Sequence, residues 1–432
     1  MEGGENMKNP YIIVIHGAPG SGKTTTAALL HEKLRSPWFE FGWIPEFRNL
    51  NPHTEMSYED EEQMTFETLA LVTQNYAKHG FENIILSDLN DSRMWDIPVV
   101  FKDFDYIIFT VYTEDELLIK ERILSRDNGN TYKNWEEAIN INKEICFRPV
   151  LMNEYRINIK QQTPDEIMQY IIKTIDTYKP CFETLKSVLI KILGKNIIDA
   201  NYQTTKLLGG SAGNVQLVTG IAKTADGEKL PYKVVLKIQN KWERYLDPDS
   251  WRREYDLYVS DLNKLFDESF RWAECYHAEM NDNETQTQLW LEYIDGVSGN
   301  DLTVEMLEKA SEELGRFQGR LYKENLDMLK NISCFTEKLS GDYKEKLPVV
   351  LCHHDFKITN IFYSDNKIIP IDWDCAGWGY MGEDIVNLAT SEIKLEYPEE
   401  YFCRFISAYF RGIAEYIEIK NEWESLIKNM IL

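Results

Sequence analysis

The octapeptide Gly17-Ala18-Pro19-Gly20-Ser21-Gly22-Lys23-Thr24 constrains this chain more than any other stretch. It fills the pattern G-x-x-x-x-G-K-[ST]. It follows the apolar run Tyr11–His16 and opens the segment Lys23–Arg35, where Ala27, Leu30 and Leu34 recur at helical spacing. Strand, glycine-rich turn and helix in that order let backbone N–H groups curl around an anion at the positive end of a helix. Lys23 is placed to reach the β- and γ-phosphates of a nucleotide, and Thr24 to offer its hydroxyl to Mg2+. The cradle is assigned to Gly17, Gly20, Ser21, Gly22, Lys23, Thr24 and Thr25.

The surrounding sequence alternates strands and helices. Strands are predicted at Tyr11–His16, Asn83–Ser87, Asp105–Val111 and Tyr155–Ile159, and helices at Lys23–Arg35, Met64–His79 and Asp115–Ser125. Thr163-Pro164-Asp165-Glu166 reads as the cap of a final helix. Such alternation implies an α/β domain, a parallel sheet with helices on both faces. Asp88 ends the strand Asn83–Ser87, where a carboxylate near Mg2+ or a base for an acceptor hydroxyl would sit. Arg122 and Arg126 lie four apart on one predicted helix, placed to clamp phosphate. This part resembles the small P-loop kinases of metabolites and nucleotides, over about Tyr11 to Thr177. The resemblance points to Glu46, Phe47 and Arg48 for the acceptor. The guanine-reading motif N-K-x-D is missing.

After Lys179-Pro180 the texture changes. A helix is predicted at Phe182–Leu193, then strands at Gln203–Leu208, Val215–Ala222 and Tyr232–Gln239, with a turn at Ala225-Asp226-Gly227-Glu228. A helix over Ser250–Leu265 and a strand over Gln288–Ile294 follow, and beyond Gly299 the chain is mostly helical. Into that part falls a second phosphate-handling signature, His353-His354-Asp355-Phe356-Lys357-Ile358-Thr359-Asn360. Between predicted strands Val349–Cys352 and Lys367–Ile371, it is followed by Asp372-Trp373-Asp374. Asp355 would take or orient the proton of an attacking hydroxyl, and Asn360 and Asp372 would hold Mg2+. Lys357 would touch the transferring phosphoryl group. Lys237, in Val234-Val235-Leu236-Lys237-Ile238, matches the strand lysine that pairs the phosphates, and Glu254 on the next helix is its ion-pair partner. Gly209-Gly210-Ser211-Ala212-Gly213 joins two strands, and Gly210 and Ser211 are assigned to phosphate. Glu292 and Ile294 precede Asp295-Gly296, where a hinge would offer backbone groups to adenine.

These residues resemble the aminoglycoside phosphotransferase and choline kinase superfamily, from about Phe182 to the C-terminus. The resemblance implies an α+β, protein-kinase-like bilobal domain. The family's loop reads H-G-D-x-x-x-x-N and its metal strand I-D-W-[DE]; here His354 stands in place of the glycine. Asp374 falls where the family carries an acid, and Asp384 in Gly382-Glu383-Asp384 is expected to be structural. The neighbouring reading is a Ser/Thr protein kinase, against which stand Asp372-Trp373-Asp374 in place of D-F-G and the missing A-P-E helix.

The bulk numbers set limits. The 432 residues suffice for two domains, placed at 1–179 and 180–432, with lobes at about 180–295 and 296–432. A net charge of -24, from 47 basic and 71 acidic residues, excludes nucleic acid as an expected main partner. Seven scattered cysteines without C-x-x-C spacing fit reduced thiols, and no stretch reads as a signal or membrane span. The expectation is a cytoplasmic enzyme with ATP and Mg2+ as cofactors and small molecules as partners: two ATP-dependent kinase modules acting on alcohol groups. The alternative keeps only the second as a catalyst, with the first a nucleotide-binding regulatory module.

Overall fold

The computed structural model describes residues 11–43, 56–125, 132–160, 162–207, 214–242, 244, 247–324, 346–390 and 398–429. The chain forms two compact units, one made of residues 1–208 and 212–232, the other of the remainder.

In the first unit, β1 (Tyr11–His16), α1 (Lys23–Leu34), β2 (Trp38–Glu40), α2 (Tyr58–Lys78), β3 (Ile84–Ser87), the short α3 (Ile97–Val100), β4 (Asp105–Tyr112), α4 (Glu116–Leu124), α5 (Trp135–Phe147), β5 (Glu154–Asn158) and α6 (Pro164–Asp176) follow one another. The sheet runs β2-β3-β1-β4-β5, all parallel. Its central strands are apolar on both faces because helices cover both sides: Ile12–Ile15 and Ile107–Phe109 are all buried. α6 starts with a full capping box, in which Thr163 accepts from the Glu166 N–H and Glu166 accepts from the Thr163 N–H at 2.7 Å. It lays Ile167, Ile171 and Ile175 inward. α2 begins six residues earlier than its apolar periodicity suggests. Ser57 caps it at the Asp60 N–H, and Glu59, Asp60 and Glu61 complement the dipole.

α7 (Phe182–Leu193), β6 (Ile197–Ala200), β7 (Gln203–Lys206) and β8 (Asn214–Thr224) also group with this unit. β6 and β7 both pair antiparallel with β8. β9 (Lys229–Asn240) enters through a turn in which Thr224 N–H donates to Glu228 O.

In the second unit β9 pairs antiparallel with β11 (Gln286–Glu292), and β11 with β10 (Cys275–Met280). The helix expected over Ser250–Leu265 is shorter. α8 spans Ser250–Val259, and a separate 3-10 turn covers Asp261–Leu265. The break has a local cause: Ser260 is extended, its hydroxyl donates to Leu257 O and accepts from Leu262 N–H, and so competes with the helical ladder. β12 (Val297–Ser298), α9 (Val304–Glu324), β13 (Val349–Cys352), β14 (Ile361–Ser364), β15 (Lys367–Pro370), β16 (Gly377–Tyr380) and the helices Glu383–Thr390, Pro398–Ala414 and Asn421–Asn429 follow. Phe270, Phe317, Phe356, Trp373, Tyr380 and Tyr409 are buried in one core that holds the second signature from below. The parallel sheet with flanking helices is thus followed by an antiparallel sheet and then by a mostly helical part. Among the described residues no helix is long and apolar enough to cross a membrane.

Candidate active sites

The first site forms at the carboxyl ends of β1, β2 and β3, beside the N-terminus of α1. Gly17 must be glycine, because a Cβ there would lie 2.3 Å from Val111 O. Gly22 caps α1 at φ 97°, a region that L side chains avoid. The turn opens a cleft of about 560 Å³ lined by Gly20, Ser21, Gly22, Lys23, Thr24 and Thr25, with Asp88 and Arg122 on its walls. Lys23 Nζ donates to Ala18 O at 3.3 Å and lies 3.2 Å from Asp88 Oδ1. Asp88 sits at φ 66°, strained for a non-glycine residue at a strand end. Arg122 Nη1 donates to Ser21 O at 3.4 Å, which places the Arg122 side chain of α4 against the loop. Arg126, Glu46, Phe47 and Arg48 lie outside the described residues.

Glu40 was not legible. It ends β2 and accepts from Thr24 Oγ1 at 2.9 Å. Burial raises its pKa, the Thr24 bond lowers it, and the Asp88 charge raises it again, with a net upward shift. The signal in the sequence was faint: an aromatic tripeptide ending in an acid, as β3 ends in Asp88. Hydroxyl and carboxylate oxygens from Thr24, Glu40 and Asp88 are the hard donors that Mg2+ prefers.

His16, the residue before Gly17, anchors a buried network that also escaped the sequence. Its Nε2 meets Asp91 Oδ1 at 2.8 Å. Arg148 Nε donates to the same carboxylate, and its Nη2 reaches Glu154 Oε1 at 2.7 Å. Burial holds the His16 imidazole below its ordinary 6.5 despite Asp91. Burial opposes ionisation of Glu154 and Asp91, but Arg148 for the one and His16 with Arg148 for the other outweigh it, so both lie below the usual carboxylate range. In all three cases the unfolded chain binds more protons in acid than the folded one. The stability that these three groups contribute is therefore full above about pH 6.5 and falls as His16 and then the two carboxylates are titrated. Urea midpoints are expected to decline from about pH 6.5 to 4, and Glu154→Gln to flatten the part of the decline below about pH 4.5.

The second site is assembled by a hairpin. β14 and β15 pair from Ile361↔Pro370 to Ser364↔Lys367, turning at Asp365 and Asn366, both at positive φ. That pairing returns the chain to where it left, and Ile371 N–H donates to Asn360 O at 2.9 Å. Asn360 and Asp372, twelve positions apart in the numbering, become neighbours. Asn360 Nδ2 donates to Asp355 Oδ2 at 2.8 Å, which leaves its carbonyl oxygen for a cation. Lys357 pairs with the other Asp355 oxygen. Lys237, on β9, is buried and bonded to both Glu254 and Asp372, the latter at 2.6 Å. Burial disfavours the ammonium, but Asp372 and then Glu254 outweigh it and lift its pKa above the ordinary lysine value. Asp372 is pushed up by burial and pulled lower still by Lys237, so it stays ionised. The amide and carboxylate oxygens of Asn360 and Asp372 suit Mg2+.

Three supports hold this loop. His353 Nδ1 accepts from Asp355 N–H, and its Nε2 meets Ile371 O at 2.9 Å. Fully buried Asp384 accepts from the N–H groups of His353 and His354, each at 2.8 Å, and from Gln318, the structural role expected of it. Buried Asp374 meets Arg244 at 3.4 Å, while its backbone oxygen accepts from Arg253. Glu292 N–H donates to Glu274 O, and its carboxylate accepts from Arg271 Nη1 at 2.6 Å. Its N–H and carboxylate are thereby both engaged, and Ile294 is buried beside Ala273 and Ile369. Gly210 and Ser211 lie outside the described residues.

The family model described as "Phosphotransferase enzyme family" matches residues 294–420. That stretch contains Asp355, Asn360 and Asp372. The match supports phosphotransferase activity toward a hydroxyl-bearing acceptor. No curated protein matches the chain. Among solved structures, an amicoumacin kinase in complex with AMP-PNP and Ca2+ is 15% identical, with 53% of this chain and 78% of that one covered and a TM-score of 0.34. The choline kinase of Cryptosporidium parvum Iowa II is 16% identical with the same coverage and TM-score. The tunicamycin resistance protein of Deinococcus radiodurans is 21% identical, covers 39% of this chain and 96% of its own, and has a TM-score of 0.31.

Proposed function

We propose that the chain is a cytoplasmic, bifunctional kinase of two modules, 1–179 and 180–432, the second divided into lobes near residue 295. The second module moves the γ-phosphoryl group of ATP to a hydroxyl of a small molecule such as an aminoglycoside, choline or a sugar. The observation that carries this reading is the direct bonding of Lys237 to Glu254 and Asp372 and of Asn360 to Asp355, with the two groups brought side by side by the Ile371 N–H bond to Asn360 O. Asp355 receives the acceptor's proton at the oxygen it now shares with Lys357. Lys237, oriented by Glu254, takes the α- and β-phosphates, and Lys357 the transferring group. Asn360 and Asp372 would hold Mg2+, which would supply charge neutralisation for the transfer. The main chain near Glu292 and Ile294 receives adenine, and Gly210 and Ser211 cover phosphate. In the first module Gly17, Gly20, Ser21, Gly22, Lys23 and Thr25 hold a second ATP with Arg122. Thr24 ligates its Mg2+ together with Glu40, and Asp88 is the base for a second small acceptor. The test is ADP release against amino sugars, amino alcohols, sugars and nucleosides, with products read by mass spectrometry. A phosphorylated small molecule is expected. Phosphate found on added protein instead would make the chain a protein kinase.

One observation favours a second reading, in which the first module regulates the second. β7 and β8 flank the glycine-rich segment of the second module; β7 is tied to the P-loop sheet and β8 to the chain just beyond α6. Lys206 Nζ donates to Phe104 O at 2.6 Å and lies 3.2 Å from the buried Asp105 at the start of β4. Gln216 Nε2 donates to Tyr178 O at 3.1 Å, just beyond α6. Burial raises the Asp105 pKa against the pull of Lys206, so the carboxylate depends on that ammonium. Lys206→Met removes a charged hydrogen bond of about 1.5–3 kcal/mol. Under this reading the KM for ATP of the Asp355-dependent reaction rises about tenfold with kcat retained. An unchanged KM sets the reading aside.

A further inference from the structure

Beside the second site, three groups from three elements converge that the phosphotransfer chemistry does not use. Cys352 Sγ comes from the end of β13, the His354 imidazole from the catalytic loop, and the Glu383 carboxylate from the start of the helix Glu383–Thr390. One ligand atom of each lies within 4.8 Å of the other two, and His354 Nδ1 stands 3.3 Å from Glu383 Oε2. They meet over Gly379 of β16. A Cβ there would lie 2.5 Å from His354 Cε1, 2.6 Å from Glu383 Oε2 and 3.0 Å from Cys352 Sγ.

His354 is the telling member. Its backbone is left-handed at φ 60°, where glycine would be unstrained. The loop geometry therefore asks for no side chain, and yet an imidazole is present. The side chain is only 8% exposed, and its Nε2 is buried without a hydrogen-bond partner. A strained backbone carrying a buried, half-satisfied ring points to a role for the ring itself. Its surroundings are electronegative. Burial and the charges of Asp384 and Glu383 push the Cys352 thiol well above its ordinary value, so the sulfur becomes a thiolate only when positive charge is supplied.

We propose that Cys352, His354 and Glu383 form a binding site for a divalent cation of the zinc class. One thiolate, one imidazole and one carboxylate, with a fourth position left for water, is the donor set of a borderline-soft metal rather than of Mg2+. Binding forms a sulfur–metal bond as the thiol proton leaves to solvent, so affinity rises with pH. Glu383, with 24% of its side chain exposed, provides the approach. The bound ion ties β13 and the helix to the residue next to Asp355, and so fixes the loop that carries the base.

The experiment uses the full chain in excess Mg2+, titrated with Co2+ and then with Zn2+ as competitor. One equivalent of Co2+ is expected to produce a near-ultraviolet thiolate-to-cobalt absorption that Zn2+ abolishes. Cys352→Ser removes that band. His354→Gly, which suits the backbone and keeps the fold, weakens binding at least about tenfold, as does Glu383→Gln. A spectrum without a thiolate band, or an unchanged band in Cys352→Ser, overturns the proposal. So does undiminished affinity in His354→Gly with an unaltered melting curve.

Discussion

Asp355→Asn is expected to lower the turnover of the second site by about 10²–10⁴-fold, the usual contribution of a positioned base. The substitution keeps the shape of the side chain. The new carbonyl still accepts from Asn360 Nδ2, as Asp355 Oδ2 does at 2.8 Å, and the backbone bond from Asp355 N–H to His353 Nδ1 is untouched. What disappears is the negative oxygen paired with Lys357. In the proposed reading ATP meets Lys237, Asn360 and Asp372 rather than Asp355, so its KM is expected to hold while kcat falls. That split distinguishes loss of a base from collapse of the loop, which would raise KM and lower the melting temperature together. Steady-state kinetics on the best acceptor, with a melting curve for each variant, checks it. A kcat within about threefold of the parent removes Asp355 from the role of base.

Lys23→Ala is expected to cost the first site about 10²–10³-fold, the scale on which loss of one preorganised charge at a transferring group acts. The fold should tolerate it. Lys23 is buried, but its partner Asp88 is 46% exposed at the side chain and regains water when the ammonium goes. The outcome also decides between the two readings of this module. Loss of one phosphorylated product, with the Asp355-dependent product intact, belongs to two independent kinases. Loss of no product, with a raised KM for ATP in the Asp355-dependent reaction, belongs to a regulatory P-loop. Loss of every product would place the only catalytic centre in the first module.

Much of the first site was legible because its chemistry is local. The octapeptide holds the cradle, the lysine and the hydroxyl within eight residues, and the apolar run before it and periodic run after it announce strand and helix. Asp88 was legible for a related reason, as the polar stop to an apolar strand. Glu40 was not, because β2 is three residues long and gains its meaning only from lying next to β3. His16, Asp91, Arg148 and Glu154 come from separate elements, and nothing in their spacing pairs them. The long helix expected at Ser250–Leu265 failed on a hydroxyl at Ser260 that competes with the backbone, an effect that periodicity does not register.

The second site divides in the same way. The chain order of Lys237, Glu254, Asp355, Asn360 and Asp372 was readable because phosphoryl transfer needs a cation, a base and two metal-binding oxygens, and these residue types recur in fixed order. That they come together was decided by the fold. A positive-φ turn at Asp365-Asn366 folds β14 onto β15 and returns Asp372 to Asn360, and the pairing of β9 with β11 helps hold Lys237 in its strand. The meeting of Cys352, His354 and Glu383 was likewise absent from any spacing rule, since it depends on a missing side chain at Gly379. Motif chemistry is encoded along the chain because its donors must follow one backbone segment around a phosphate. Networks and ion sites built from several elements belong to the tertiary structure, because side chains remote in sequence gain their energy only once burial has removed the water between them.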